Sequence, residues 1–324
     1  MKMIKERDFS IDILKFMAAV LITNSHMDLL YGKYSILATG GAIGDVLFFF
    51  CSGFTLFNGR KVRFDNWYKR RINRVYPSIF AWAILSSFVF GISNDMKYTI
   101  MHGGGWFVSC IMIYYVILFF IQRFMLNKFQ YAFLITTLIC IAWYLLIDRP
   151  TDYNMYGYTF FKWCHYFLFM LLGASIGVHQ KDMKFNEKKD LTGLLISIIV
   201  FYAVYFAAKT TSIGNDLQII SLIPLLGVTL YFYKLCNCNL LKKLYKSRYV
   251  GWVMNFTGGL CLEIYLVQST LFTDKMNNIF PLNLVIMFII ILAVAYLLRC
   301  LARIFSQTFK DGEYDWNAVF KATL

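Results

Sequence analysis

The sequence predicts an all-α, polytopic bundle of about ten transmembrane helices with both termini cytoplasmic. An excess of apolar residues, their division into span-length blocks and an alternation of basic loops carry that prediction. Of the 324 residues, 59% are hydrophobic and 15% charged, against about a quarter charged in globular chains. One globular core does not bury so much apolar surface. The blocks run 11–30, 36–57, 75–92, 105–121, 131–147, 160–178, 191–208, 217–236, 250–271 and 284–303, near the ~20 residues that cross a hydrocarbon core. At that depth every backbone N–H and C=O must be paired within the protein. The blocks lack the alternation of barrel strands, so helices are expected. Block 131–147 is short and needs support from tilt or neighbours.

Orientation follows from the basic residues. With this segmentation, the N-terminus, every second loop and the C-terminal tail hold most of the 32 Lys and Arg, and the opposite loops five. The positive-inside rule then puts both ends in the cytoplasm of a multi-pass protein of the cytoplasmic membrane. The net charge of +14 is accounted for by this topology and by anionic membrane lipids as partners. Nucleic acid is not an expected partner, because no soluble basic domain exists to carry it. Lys2, Lys5 and Arg7 precede the first apolar run as in a signal peptide, but no small-residue cleavage site follows, so a retained first helix is expected. Loops are short, the longest cytoplasmic one running from Asn58 to Arg74, and a single transmembrane domain over 1–324 is expected. The eight cysteines lie mostly inside spans. Cys236 and Cys238 have no ligand partners at zinc spacing, so the cysteines read as packing residues and no metal is expected.

Ionisable groups inside spans are costly, and each is a functional candidate. The first helix holds Asp12, Lys15 and His26. Eleven residues separate Lys15 from His26, about three turns plus 20°, so a continuous helix puts both on one face roughly 16 Å apart. Asp12, three residues before Lys15, is placed to pair with it. His26 is then expected well inside the bilayer, nearer the outer surface, as a general base or as a histidine bonded to a neighbouring helix. In the second span, DVLFFFCSGF, Asp45 and Ser52 are seven apart and share a face, after Gly40, Gly41 and Gly44 that allow close packing. The loop that follows is dense in cations, from Arg60, Lys61 and Arg63 to Lys69, Arg70, Arg71 and Arg74. On a helix Arg70, Arg71 and Arg74 cluster into a clamp for a polyphosphate, the alternative being topology and lipid headgroups. Trp106 and Phe107 open the fourth span, Lys162 and His165 lie near the outer end of the sixth, and Glu263 is the carboxylate of the ninth. A glutamate there requires a cation, a histidine or a substrate hydroxyl as partner. HGGG at 102–105 and GASIG at 173–177 mimic a lipase, but GASIG falls inside an apolar helix where small residues pack helices.

These segments together resemble the membrane-bound acyltransferase-3 family over nearly the whole length. The residues concerned are IDILKFMAAVLITNSH, DVLFFFCSGF and YKRRINRVYP, with weaker matches at GWFVSCIMIYY and LEIYLVQ. The family moves acyl groups, usually acetyl, onto sugar hydroxyls of cell-surface polymers. The resemblance implies that His26 is the essential histidine and that Arg71 and Arg74 are the family's Arg-x-x-Arg pair. Lys15 stands where Arg is usual; it keeps the charge and loses the bidentate fork. Gln268 stands where a ninth-helix His is usual, which argues against a second catalytic histidine there. No hydrolase-like extracytoplasmic domain is expected, so the chain would act on its acceptor directly or with a partner.

The function expected from this resemblance is acyl transfer from cytoplasmic acyl-CoA, foremost acetyl-CoA, to a hydroxyl of a cell-surface or lipid-linked glycan. His26 is the expected base or acyl carrier, Arg71, Arg74 and Lys15 the expected donor-binding residues, and Asp12, Asp45, Ser52, Trp106 and Glu263 the expected substrate or support residues. Homo-oligomers and glycan-synthesis partners stay open. The competing classes are a transporter or flippase of a lipid-linked saccharide and a scaffold of a glycan-synthesis complex. Inverted repeats and Gly/Pro-broken helices in matching halves, expected of a transporter, are not visible in the sequence.

Overall fold

The computed structural model describes residues 8–57, 62–92, 95–150 and 153–322. The cations Lys2, Lys5, Arg7, Arg60 and Lys61 lie outside the described residues. In chain order the helices are α1 (Phe9–Ser25), α2 (Asp28–Tyr31), α3 (Gly41–Phe57), α4 (Phe64–Phe90), α5 (Met96–His102), α6 (Gly105–Phe124), α7 (Phe129–Leu146) and α8 (Lys162–Val178). They continue as α9 (Glu187–Thr210), α10 (Ser212–Asp216), α11 (Leu222–Cys236), α12 (Asn239–Lys246), α13 (Arg248–Gly259), α14 (Cys261–Leu271), α15 (Leu282–Thr308) and α16 (Trp316–Val319). Among the described residues there is no strand.

Each apolar block of the sequence falls mainly on helix, but among the described residues fewer than ten helices are long and apolar enough to cross alone. Five are: α6, α7, α9, α15 and the run Gln218–Cys236 that contains α11. Two bent pairs raise the number to seven if each pair is one span. α3 and α8 are apolar but 17 residues long. α4 reaches 27 residues because YKRRINR is helical too, and those polar turns dilute its apolar half.

The first and ninth blocks are not the continuous helices the sequence suggested. α1 stops at Ser25, and the chain bends by 64° into Asp28–Leu37. The bend is fixed by Asn24, whose Nδ2 donates to the carbonyls of Leu37 (3.0 Å) and Thr39 (2.9 Å), while the Tyr31 hydroxyl donates to its Oδ1 at 2.7 Å. Asn277 and Asn283 donate to the carbonyls of Leu29 and Leu30, each at 2.9 Å. Carbonyls left orphaned by a broken helix thus find amide donors, as a low-dielectric setting requires. The ninth block breaks at Leu260, with α13 and α14 meeting at 75° after the pair Gly258 and Gly259. Hence broken helices, which the sequence did not betray, are present.

The chain divides into two compact units. The first comprises Met1–Ala18, Ala42–Arg60 and Phe120–Met254. Within it α9 packs along α11 and α7 along α8. α3 and α8 touch backbone to backbone: a Cβ on Gly53 would strike the Met170 carbonyl, and one on Gly173 the Phe50 carbonyl. Gly173 is the first residue of GASIG, which here packs helices. The second unit comprises Ala19–Gly41, Lys61–Phe119 and Asn255–Leu324, and in it α15 packs on α4 and α14.

Candidate functional site

Of the predicted site residues, Asp12, Lys15, Asp45 and Ser52 belong to the first unit, and His26, Arg71, Arg74, Trp106 and Glu263 to the second. In the first, Asp12 is buried in the opening turns of α1 and accepts a hydrogen bond from the Tyr245 hydroxyl at 2.7 Å. The Tyr245 ring lies 6.0 Å from Phe9. Lys15 is half-buried one turn further along α1. Asp45, half-buried on α3, is faced by the Tyr166 hydroxyl and the charge of Lys162 on α8. Buried Lys162 thus lies within electrostatic reach of an acid. Ser52 is half-buried two turns along from Asp45.

In the second unit His26 lies just past the helix in which the sequence placed it. It is the first residue beyond α1, in an exposed turn, with its backbone N–H donating to the Thr23 carbonyl at 3.1 Å. α1 ends one residue before His26, beside the Asn24 hydrogen bonds that hold the bend. The His26 side chain is exposed.

α4 carries the cationic turn. Arg71 lies over the ring of Trp67, 4.1 Å from guanidinium carbon to centroid, and 6.0 Å from Tyr115 of α6. Trp67 is buried and donates its indole N–H to the Tyr115 carbonyl at 3.2 Å, so the platform under Arg71 is fixed. Arg70 and Arg74 are exposed and near enough for their charges to act on Arg71. Three like charges on one helical turn repel one another and favour an anion. The platform, Trp67 with Tyr115, is not apparent from the spacing of the arginines.

Glu263 acquires the partner that burial demands. Its Oε2 accepts from Arg299 Nη2 of α15 at 2.8 Å, and its Oε1 from the Ser78 hydroxyl of α4 at 2.9 Å. Arg299 Nη2 also donates to the Gly259 carbonyl at the end of α13. The cation therefore sits at the negative end of one half-helix, and Glu263 lies in the first turn of the next. Arg299 and Ser78 were missed in the sequence because Arg299 reads as one more cation near a cytoplasmic end. The available signal was Glu263 itself, an acid in one span that asks for a base in another. Ser78 lies one turn after Arg74, so the knot also holds the helix of the cationic turn. Trp106, half-buried, opens α6 beside Phe107, whose ring lies 5.6 Å from Tyr265 of α14. No group of three or more potential metal ligands occurs among the described residues.

A family model described as an acyltransferase domain matches residues 8–300, which takes in every residue just described. The chain belongs to that family, the acyltransferase-3 family its sequence resembles. It is thus a membrane acyltransferase with several apolar helices. No curated protein and no solved structure matches the chain.

Proposed function

We propose that this member of the family transfers an acyl group, acetyl foremost, from cytoplasmic acyl-CoA to a hydroxyl of a cell-surface or lipid-linked glycan at the cytoplasmic membrane. The observation that carries the donor half is the α4 turn, where Arg71 is fixed on Trp67 and exposed Arg70 and Arg74 stand beside it. Guanidinium groups so arranged suit the phosphates of CoA better than they suit a neutral ligand. The acceptor half rests on His26, an imidazole exposed in the turn after α1 and the histidine that the family resemblance singles out. His26 removes the hydroxyl proton as the oxygen attacks the thioester carbonyl. The C–S bond then breaks, and the CoA sulfur leaves as thiolate and takes up a proton. In the variant route His26 first accepts the acyl group and passes it to the hydroxyl. Lys15 helps hold the donor, Asp12 supports the first helix through Tyr245, and Asp45, Ser52, Trp106 and Glu263 support the substrates or the helices that carry the site.

The test is sidedness. In sealed right-side-out vesicles, acyl-CoA enclosed within should acylate an acceptor added outside, and acyl-CoA added only outside should not. Equal transfer from donor on either side overturns the trans-membrane arrangement.

The two broken segments favour a second reading, transport of a lipid-linked saccharide, because half-helix ends commonly line transporter sites. Membership of an acyltransferase family weighs against it. Vesicles that move labelled lipid-linked sugar without acylating any acceptor would support transport.

A further inference from the structure

Cys140 of α7 and Cys164 of α8 face each other with their sulfur atoms 3.2 Å apart. Both are free thiols in one compact unit. We propose that Cys140 and Cys164 are an oxidative modification site, joined as a disulfide when the protein meets a disulfide oxidant. The sulfurs need to close by only about 1 Å to reach the ~2.05 Å covalent length, and the helices that carry them already pack together. The junction is ordered by aromatic contacts, Phe161 lying 6.2 Å from Trp143 and 5.4 Å from Tyr144. The two thiols differ in access. Cys140 is buried, whereas Cys164 is half-buried in the first turn of α8, at the positive end of that helix dipole. Cys164 is therefore the sulfur that an oxidant reaches first.

The step balances as ordinary thiol–disulfide exchange. The Cys164 thiolate attacks one sulfur of the oxidant's disulfide, forming a mixed disulfide and releasing one oxidant thiolate. The Cys140 thiolate then attacks Cys164 Sγ, forming the Cys140–Cys164 bond and releasing the second. Two thiol protons pass to solvent, and the two electrons reside in the reduced oxidant. The bond ties α7 to the first turns of α8, which carry Lys162 and Tyr166, so it would fasten the residues facing Asp45.

The experiment treats the full chain in detergent with oxidised glutathione, then counts maleimide-reactive thiols by intact mass after denaturation. The untreated protein should take up eight labels, one per cysteine. After oxidation the count should fall by two, with a single linked peptide pair containing Cys140 and Cys164 that reductant dissolves. Cys140→Ser and Cys164→Ser, each close in size, should each abolish that linked pair. Eight labels after oxidation, a link between other cysteines, or a stable glutathione adduct on Cys164 with Cys140 still free would overturn the proposal. A protease cut between 147 and 161 gives a second measurement: the two fragments should migrate together on a non-reducing gel only after oxidation.

Discussion

His26 and Glu263 lie in the same compact unit next to two broken helices, yet they are treated in opposite ways. At the first break backbone carbonyls receive amide donors from three asparagines, one of them itself held by the Tyr31 hydroxyl, and His26 is exposed. At the second break a full charge is buried, and Glu263 is enclosed by Arg299 and Ser78. The difference separates an exposed imidazole, the base of the proposed mechanism, from a buried carboxylate that ties three helices together. An exposed side chain contributes little to folding, so its loss should reach activity alone. A buried ion pair behaves the other way, because removing one partner strands the other charge in a poorly solvating interior.

The sharpest break of that comparison is His26→Ala. Acyl transfer should fall by ~10²–10⁴-fold, the usual contribution of a general base, while the amount of protein in the membrane stays at wild type. Normal acylation by a well-inserted variant would remove His26 from the mechanism.

Next in size is the knot. Arg299→Ala or Glu263→Ala should destabilise the protein by ~3–5 kcal/mol, read as a lower melting midpoint in detergent and less protein in the membrane. The double variant Glu263→Gln with Arg299→Met removes both charges and should recover much of that loss. If the single and double variants lose the same stability, the pair does not act as a pair. A Glu263→Ala protein with wild-type stability but no activity would move Glu263 from the scaffold to the chemistry.

Much of this was legible in the residues. The apolar blocks gave the helices, because burial of the backbone in lipid leaves few alternatives, and the demand of Glu263 for a partner was visible from its place in an apolar run. The end of α1 was hidden, since nothing local in ITNSHMDLL forces a stop; the bend depends on Asn24 reaching carbonyls at 37 and 39, and on Asn277 and Asn283 far along the chain. Pairings such as Asp12 with Tyr245, or Arg71 with Trp67 and Tyr115, likewise join distant segments or depend on side-chain packing, and spacing along the chain carries no trace of them.

The cationic turn sharpens the comparison at a smaller scale, because Arg71 is half-buried on its platform and Arg74 is exposed. Arg71→Ala and Arg74→Ala should each weaken acyl-CoA binding by ~1.5–3 kcal/mol, the range for hydrogen bonds to charged groups. Only Arg71→Ala should also lower the melting midpoint, since it alone strips a cation from a buried indole. Wild-type CoA affinity in the double variant would return the cluster to topology.

The smallest expected effect is at Lys15, which is half-buried on the helix that leads into the turn of His26. If its charge helps hold the donor, Lys15→Arg keeps that charge, adds a planar fork and restores the residue usual in the family. Transfer should then remain at the wild-type rate or rise modestly, and the KM for acyl-CoA should stay level or fall. Lys15→Ala removes the charge and should raise that KM with the acceptor KM unmoved, which a purely structural defect in α1 would not do selectively. A Lys15→Ala protein whose two KM values shift together, with a lower melting midpoint, would make Lys15 part of the helix and not of the donor site. Lys15→Arg then decides the case, because a charge that serves only packing gains nothing from a fork, whereas one that meets a phosphate does.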